Sequence, residues 1–194
     1  MLNLLMEKES MSTKKPMILV LAGPNGSGKS TITQYFEKIG EYTNADDVVA
    51  STGMNNEKAA SFVDKKRYLA ISEKRDFTFE TVLSSEYKLE ILRKAKKEGY
   101  FIKCIFVLTV DSYINVARVE ARVAQGGHNV EKNKIISRYE KSLANIKELL
   151  VICDILHVYD NTIEPTRIIR KHKNDISIFP NDLWSEQRIL SLMQ

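Results

Sequence analysis

The sequence predicts an α/β fold: a parallel five-stranded sheet with helices on both faces and a helical lid. Two observations predict this fold class. The apolar run at residues 17–22 has the composition of a strand buried on both faces of a sheet, and a glycine-rich loop follows it directly. Strand-like and helix-like segments then alternate along the chain, which favours a parallel sheet with the helices packed on it.

The glycine-rich loop fits the pattern G-x-x-x-x-G-K-[ST] of a P-loop, and apolar residues at helical spacing follow it as far as Gly40. Only 8 of the 194 residues are glycine, so a chance glycine-rich turn is a poor explanation. We therefore expect a P-loop NTPase fold with the strand order of kinases, and ATP with Mg²⁺ as ligands. Lys29 is expected to reach the β- and γ-phosphates, and the Ser30 hydroxyl to bind Mg²⁺. The predicted nucleotide-binding residues are Gly23, Pro24, Asn25, Gly26, Ser27, Gly28, Lys29, Ser30 and Thr31.

The elements after this loop are predicted from their periodicity, in chain order. Residues 41–47 indicate a short strand that ends in two carboxylates, and residues 57–74 indicate a helix with apolar residues along one side. Residues 77–82 are rich in β-branched and aromatic side chains and stop at the serines 84–85, which favour a helix start. This next helix is predicted to end at Gly99.

The second half of the chain continues the alternation. Residues 100–110 are strongly apolar and predict the fourth strand, after which Asp111 can cap a helix that runs to the glycine pair 126–127. Residues 131–150 predict one further helix, because their apolar side chains fall on a single stripe. Residues 154–161 predict the fifth strand.

We expect a single domain over residues 1–194, because this length suffices for one sizeable core. Residues 1–15 precede any structural pattern and are expected to form a flexible N-terminus. The tail from Thr166 onward alternates only weakly, and we expect a small hairpin or a short helix at residues 183–190.

Composition and charge exclude several classes of function. The net charge of +4 is mild and suits anionic small molecules, and no long Lys/Arg run indicates nucleic acid or a membrane surface. No apolar stretch is long enough to span a bilayer, and no export signal is visible, although Met11 is an alternative start. Cys104 and Cys153 lie in apolar runs and are expected to be buried, reduced thiols, which favours a cytoplasmic location.

Three carboxylates are candidates for chemistry. Phosphoryl transfer needs a hydroxyl held in line and a carboxylate that takes its proton, and Asp46 or Asp47 is the candidate base. The alternative is that one of the two merely caps the following helix. Glu80 interrupts an apolar strand ending, so it is expected to contact substrate or metal-bound water, with a structural ion pair as the alternative.

Three arginines are candidate phosphate ligands: Arg118, Arg122 and Arg138. None of them has a carboxylate three or four residues away, so an anion from outside would balance their charge. The glycine pair 126–127 separates the two helices that carry them, as a hinge for a closing lid over residues 113–150 would. The alternative is that these are solvated charges which meet acids elsewhere in the fold.

Together these motifs resemble the zeta-toxin family of P-loop kinases, over roughly residues 17–161. The matching residues are the P-loop as written, Asn44-Ala45-Asp46, Phe79-Glu80-Thr81, Arg118 with Arg122, Gly126-Gly127-His128 and Arg138-Tyr139. Better-known members phosphorylate the 3′-hydroxyl of the amino sugar in UDP-N-acetylglucosamine, with ATP and Mg²⁺.

The resemblance implies roles for several of the matching residues. Asp46 takes the position of the catalytic base, Glu80 with Thr81 takes the sugar-binding position, and the lid arginines act with Lys29 on the transferring phosphoryl group. Longer members carry an E-G-T-x-R-T type segment, whereas Thr81-Val82-Leu83-Ser84 follows Glu80 here.

The expected function is therefore an ATP-dependent kinase that phosphorylates a hydroxyl of a nucleotide sugar. The alternatives are a kinase for another small acceptor, such as a nucleoside, a sugar or an antibiotic, and a non-catalytic nucleotide-binding switch. A small-molecule substrate is expected, nucleic acid and membrane are not, and an antitoxin partner is left open.

Overall fold

One sheet of seven strands organises the described part of this chain, which is residues 14–194 of a computed structural model. The prediction of a flexible N-terminus over residues 1–15 therefore falls outside the described residues, except for residues 14 and 15. The alternative start at Met11 also falls outside them. The strands are β1 (Met17–Ala22), β2 (Glu41–Thr43), β3 (Phe77–Thr81), β4 (Phe101–Leu108), β5 (Ile155–Asp160), β6 (Thr166–His172) and β7 (Asp175–Ile178). The helices are α1 (Lys29–Thr33), α2 (Ala45–Thr52), α3 (Asn56–Ser72), α4 (Glu86–Lys97), α5 (Ser112–Ala124), α6 (Lys132–Ala144), α7 (Ile146–Ile152) and α8 (Glu186–Ser191).

The strand order is β2-β3-β1-β4-β5-β6-β7. The first five strands in this order pair in parallel, as predicted, whereas β5–β6 and β6–β7 pair antiparallel. The prediction of a five-stranded sheet is therefore wrong in number, because the tail adds a β6–β7 hairpin. The sequence pattern of this hairpin alternates only weakly, because three of the four residues of β7 are exposed. Ile168 and Ile169 of β6 are buried in the core, and Ile178 of β7 packs against it.

Strand β1 lies at the centre of the five parallel strands and is buried on both faces. Ile18 and Val20 pack into the larger core, while Leu19 and Leu21 pack into a smaller core on the opposite face. Each such side chain contributes about 1.5–3 kcal/mol when removed from water, so this strand is held firmly. The P-loop leaves the carboxyl end of this fixed strand, the edge at which ligands bind in such sheets.

Helix α1 is much shorter than predicted and ends at Thr33 instead of continuing towards Gly40. The aromatic residues that suggested a longer helix are not on one buried face, because Tyr35 is 78% exposed while Phe36 packs against the smaller core from a turn. The connection is held instead by Thr78 of β3, whose hydroxyl bonds both the N–H and the carbonyl of Ile39 at 2.8 Å.

Two further predictions of element bounds are wrong. Residues 41–47 are not one strand, because β2 ends at Thr43 and the short helix α2 begins at Ala45. Helix α2 buries none of its residues, so it leaves no apolar pattern in the sequence. The helix predicted over residues 131–150 is divided into α6 and α7 at Asn145, whose side chain donates to the carbonyl of Leu83 at 2.9 Å.

Both cysteines are free and buried, as predicted, and burial raises the pKa of the Cys104 thiol. Among the described residues, no helix combines the length and the apolar composition needed to cross a bilayer.

Candidate active site

The P-loop connects β1 to α1 and presents hydrogen-bond donors that the protein itself does not use. The backbone N–H groups of Gly26, Gly28, Lys29 and Ser30 find no acceptor within residues 14–194. The Ser27 hydroxyl is fully buried and also has no partner in this part of the chain. Buried polar groups are almost always hydrogen-bonded, so unpaired donors around one loop fit the phosphate groups of a nucleotide.

Lys29 lies against this loop and is partly buried. Its Nζ donates to the carbonyl of Gly23 at 2.8 Å and to that of Pro24 at 3.3 Å. Burial lowers the pKa of Lys29, the carboxylates of Glu80 and Asp46 oppose this effect, and Arg122 adds to it. Charged side chains from three other elements of the fold are therefore close enough to the ammonium group to affect its pKa.

A cleft of about 420 Å³ opens beside Lys29. Besides the P-loop residue Asn25, it brings together five of the residues predicted from the sequence to act in the site: Lys29, Asp46, Glu80, Thr81 and Arg138. Asn25 of the P-loop also lines this cleft, as do residues 128–131 between α5 and α6. This volume is within the range of small-molecule sites.

The two neighbouring carboxylates of α2 have different surroundings. The cap of α2 is Asn44, whose side chain accepts from the Asp46 N–H at 3.0 Å, so neither carboxylate caps the helix. Asp46 is exposed and lines the cleft, and its side chain has no partner within the described residues. Asp47 faces a smaller hollow, and its Oδ1 accepts from the Asn44 amide at 3.4 Å.

Glu80 is held by hydrogen bonds rather than by a cation. The Tyr42 hydroxyl donates to its Oε2 at 2.5 Å, and the Asn44 amide donates to that same hydroxyl at 3.2 Å. Burial, together with the adjacent Glu80 carboxylate, raises the pKa of Tyr42. Within the described residues Glu80 forms no salt bridge, which removes the structural ion pair as an explanation.

The three predicted arginines occupy different places. Arg138 lines the cleft, and its Nη1 donates to the side-chain oxygen of Asn25 at 3.3 Å. Arg122 donates to the carbonyl of His128 at 2.8 Å and is close enough to affect Lys29. Arg118 is directed elsewhere, because it donates to the carbonyl of Thr162 at 2.9 Å. None of the three forms a salt bridge with a residue of the described chain.

The described residues contain no group of three or more His, Cys, Asp or Glu that could hold a metal ion. Ser30, the predicted Mg²⁺ ligand, is exposed in the first turn of α1. A single hydroxyl is a weak ligand, so the residues fit a Mg²⁺ ion that arrives with nucleotide phosphates and keeps several waters.

A buried ion network next to the cleft was missed from the sequence. Asp64 accepts from Arg67 Nη1 at 2.8 Å and from Lys88 Nζ at 2.6 Å. Arg67 also donates to the carbonyls of Thr43 and Glu80, so it ties β2 to β3, and burial lowers its pKa to about 10. Lys88 offered a signal: a cation in the first turn of a helix opposes the helix dipole and so needs a nearby partner.

Two buried asparagines, Asn115 and Asn161, are also parts of the site. Each donates its side-chain amide to a carbonyl of the P-loop. Asn161 could be suspected from its position just after a strand, whereas nothing in the sequence marks Asn115.

A family model described as Zeta toxin matches residues 39–183 of this chain. The matched region begins after the P-loop, so the family assignment does not depend on the glycine-rich motif. An uncharacterised protein of Haemophilus influenzae is 27% identical over 124 residues, which cover 60% of this chain and 88% of that relative.

Two solved structures have a similar fold. The AvrRxo1-ORF1:AvrRxo1-ORF2 complex with sulphate ions superposes with a TM-score of 0.70 at 13% identity, over 93% of this chain and 64% of the matched chain. This chain therefore spans less than two thirds of that neighbour, which was also solved with ATP (TM-score 0.65, 12% identity, 86% and 61% covered). The PezAT toxin–antitoxin system of Streptococcus pneumoniae gives a TM-score of 0.60 at 14% identity, over 97% and 91%.

Proposed function

This chain belongs to the zeta-toxin family, and we propose that it is an ATP-dependent kinase that phosphorylates a hydroxyl of a nucleotide sugar such as UDP-N-acetylglucosamine. One observation carries the proposal. A single cleft holds the P-loop lysine, a carboxylate with no structural partner in the described chain, and an arginine without a salt bridge there. These are the parts that phosphoryl transfer to an alcohol requires.

The P-loop side of the cleft would bind the donor. The free N–H groups of residues 26 and 28–30, together with Lys29, would hold the phosphates, and Ser30 would orient Mg²⁺. When bound, Mg-ATP supplies the phosphoryl group and part of the charge neutralisation. Arg138 and Arg122 would place guanidinium groups against negative charge that develops during transfer. We assign Arg118 to holding the loop after β5, through the carbonyl of Thr162.

The opposite side of the cleft would bind the acceptor. Asp46 would accept the proton of the acceptor hydroxyl, because its carboxylate is exposed and not used as a cap. Glu80 and Thr81 would orient the acceptor by hydrogen bonds. One oxygen of Glu80 accepts from the Tyr42 hydroxyl, which fixes the carboxylate and leaves the other oxygen for a substrate.

We further propose that residues 1–194 act as one kinase domain in the cytoplasm, with a helical lid within residues 113–150. An antitoxin partner is part of this proposal, because the PezAT neighbour is by its title a toxin–antitoxin system.

The test incubates the protein with Mg-ATP and a pool of small metabolites, and mass spectrometry identifies species that gain one phosphoryl group. We expect UDP-N-acetylglucosamine among them. A different phosphorylated alcohol would change the acceptor and keep the reaction. Slow ATP hydrolysis without any phosphorylated product would instead favour a nucleotide-binding switch.

Lys29→Ala provides the control for this experiment. Within residues 14–194, Lys29 donates only to two loop carbonyls, so the melting temperature without nucleotide should be nearly unchanged. The stabilisation that Mg-ATP gives to the wild type should disappear, together with product formation. Equal stabilisation and activity in both proteins would show that the P-loop assignment is wrong.

A further inference from the structure

Two asparagines contact the P-loop through its backbone carbonyls. Asn115 of α5 donates its Nδ2 to the carbonyl of Asn25 at 2.7 Å, and Asn161, which follows β5, donates its Nδ2 to the carbonyl of Ser27 at 2.9 Å. Asn115 is 0% exposed and Asn161 is 7% exposed. Both side chains are therefore fixed by their surroundings, and so are the carbonyls that they hold.

Fixing these two carbonyls also fixes two N–H groups. In a trans peptide the C=O and the N–H of one plane point in opposite directions, and the described chain contains no cis peptide. The carbonyl of Asn25 shares its plane with the N–H of Gly26, and the carbonyl of Ser27 shares its plane with the N–H of Gly28. Both N–H groups are therefore directed away from the asparagines, and neither has an acceptor in residues 14–194.

The asparagines also explain why residues 26 and 28 are glycine. Both positions have positive φ angles, 77° at Gly26 and 80° at Gly28. A Cβ atom on Gly26 would lie 2.4 Å from the carbonyl oxygen of Asn115, and one on Gly28 would lie 2.1 Å from the Nδ2 of Asn161. Glycine thus lets the loop backbone approach the asparagines closely enough to be held.

We propose that Asn115 and Asn161 are positioning residues that orient the Gly26 and Gly28 amides towards the phosphates of the nucleotide. The inference rests on the proposed function, because it assigns the free amides to phosphate. An amide that is already oriented costs no reorganisation when the anion binds. The Oδ1 of Asn115 accepts from the Thr109 hydroxyl, which keeps the Nδ2 as the atom that faces the loop.

The test replaces each asparagine by Asp, which keeps the shape but removes the donor, and by Ala, which removes the donor without adding charge. Calorimetry measures the Kd for Mg-ADP, and we expect it to rise about 10- to 100-fold in all four variants, as for a lost hydrogen bond at a buried group. Asn145→Asp is the matched control, because its Nδ2 also donates to a carbonyl, that of Leu83, but outside the P-loop. Its Kd should stay within about two-fold of the wild type.

Two readouts separate positioning from general damage. The acceptor KM at saturating Mg-ATP should not change, and without nucleotide the amide NMR signal of Gly26 should move in the Asn115 variants and that of Gly28 in the Asn161 variants. Unchanged Mg-ADP affinity with unmoved glycine signals would overturn the inference. So would equal losses in the Asn145 control, which would indicate a merely structural effect. If the wild type itself binds no Mg-ADP, the proposed function fails and the inference falls with it.

Discussion

At the scale of single residues, Asp46 and its neighbour Asp47 differ in what their carboxylates contact. Both lie in the first turn of α2, where a carboxylate benefits from the helix dipole. Asn44 nevertheless provides the cap, and only Asp47 receives a hydrogen bond from it. The Asp46 carboxylate is exposed in the cleft and has no partner among the described residues, which fits its proposed role as the base that accepts a proton from the acceptor hydroxyl.

We predict that Asp46→Asn loses about 10²- to 10⁴-fold in turnover, because an amide cannot accept the hydroxyl proton. Binding of Mg-ATP should persist, since the P-loop contacts do not involve Asp46. Asp47→Asn is the matched control and should keep most of the activity. The measurement is turnover on the acceptor found in the metabolite screen. Turnover of Asp46→Asn within a few-fold of the wild type would contradict the base assignment. A loss of turnover in Asp47→Asn alone would assign the role of base to Asp47 instead.

Site residues that belong to a local sequence motif could be predicted. Those that are placed by contacts between residues distant in sequence could not. The P-loop pattern specifies four residues within eight consecutive positions, so its place after β1 follows from the sequence. Arg67 lies three residues after Asp64, which is also the spacing of an ordinary surface ion pair. Its burial follows from tertiary contacts with Thr43, Phe79 and the carbonyl of Glu80, and no sequence pattern encodes them.

At the scale of elements, the helices α5 and α6 form a unit with two fixed ends. Val116 and Val119 of α5 pack with Ile135 of α6 in a small apolar cluster separate from the two main cores. The start of α5 is tied to the P-loop by Asn115, and the end of α6 is tied to the carbonyl of Val82 by Ser142. We therefore expect any lid movement to be confined to the tip between these ties, residues 116–141, which includes the 126–127 glycine pair, rather than to involve all of residues 113–150.

The arginines at this tip give the next prediction. Arg122→Lys and Arg138→Lys should each lower turnover about 10²-fold or more, because lysine keeps the charge but loses the planar fork that engages two phosphate oxygens. Arg118→Lys should lose far less, since its guanidinium holds the carbonyl of Thr162. The measurement is kcat together with the melting temperature. Near-normal kcat for the first two variants would make these arginines surface charges, and an equal loss in all three would place Arg118 at the phosphates.

The elements themselves were predictable wherever an apolar stripe faces the sheet. Helices α3 and α4 and strands β3 to β5 each bury such a stripe, so the sequence pattern located them within a few residues. Helix α2 buries nothing and was missed for that reason. The break at Asn145 depends on a hydrogen bond to Leu83, which is distant in sequence and invisible to any periodicity.

At the scale of the whole molecule, the two faces of the sheet differ in character. The larger core lies on the face covered by α3, α4, α7 and α8. On the opposite face, above β5 and β6, the register pairs His157 with Arg170 and Tyr159 with Arg167. Lys103 of β4 and His172 of β6 pair with Ile155 and so share this side. The half-buried His157 therefore lies among groups that are cationic or can become so.

These surroundings make a prediction for the dependence of stability on pH. Burial, and then Arg167, Lys103, Arg170 and His172, lower the pKa of His157 to about 4. Because the Arg167 guanidinium can only donate, the Nδ1 of His157 must be the acceptor in their 3.2 Å contact, and protonation would break it. The unfolded chain, with an ordinary histidine pKa of about 6.5, binds the proton more readily. Stability contributed by the neutral ring is therefore present above pH 6.5 and lost as the pH falls towards about 4.

We expect this loss to amount to about 1–2 kcal/mol of the free energy of unfolding, since solvent around a half-buried ring screens part of the repulsion. His157→Gln cannot be protonated, so its stability should fall less than that of the wild type between pH 6.5 and pH 4. Denaturant unfolding at several pH values measures the difference, and the carboxylates that titrate in the same range cancel because both proteins carry them. Parallel profiles for His157→Gln and the wild type would show that the cations of this sheet face do not act on His157.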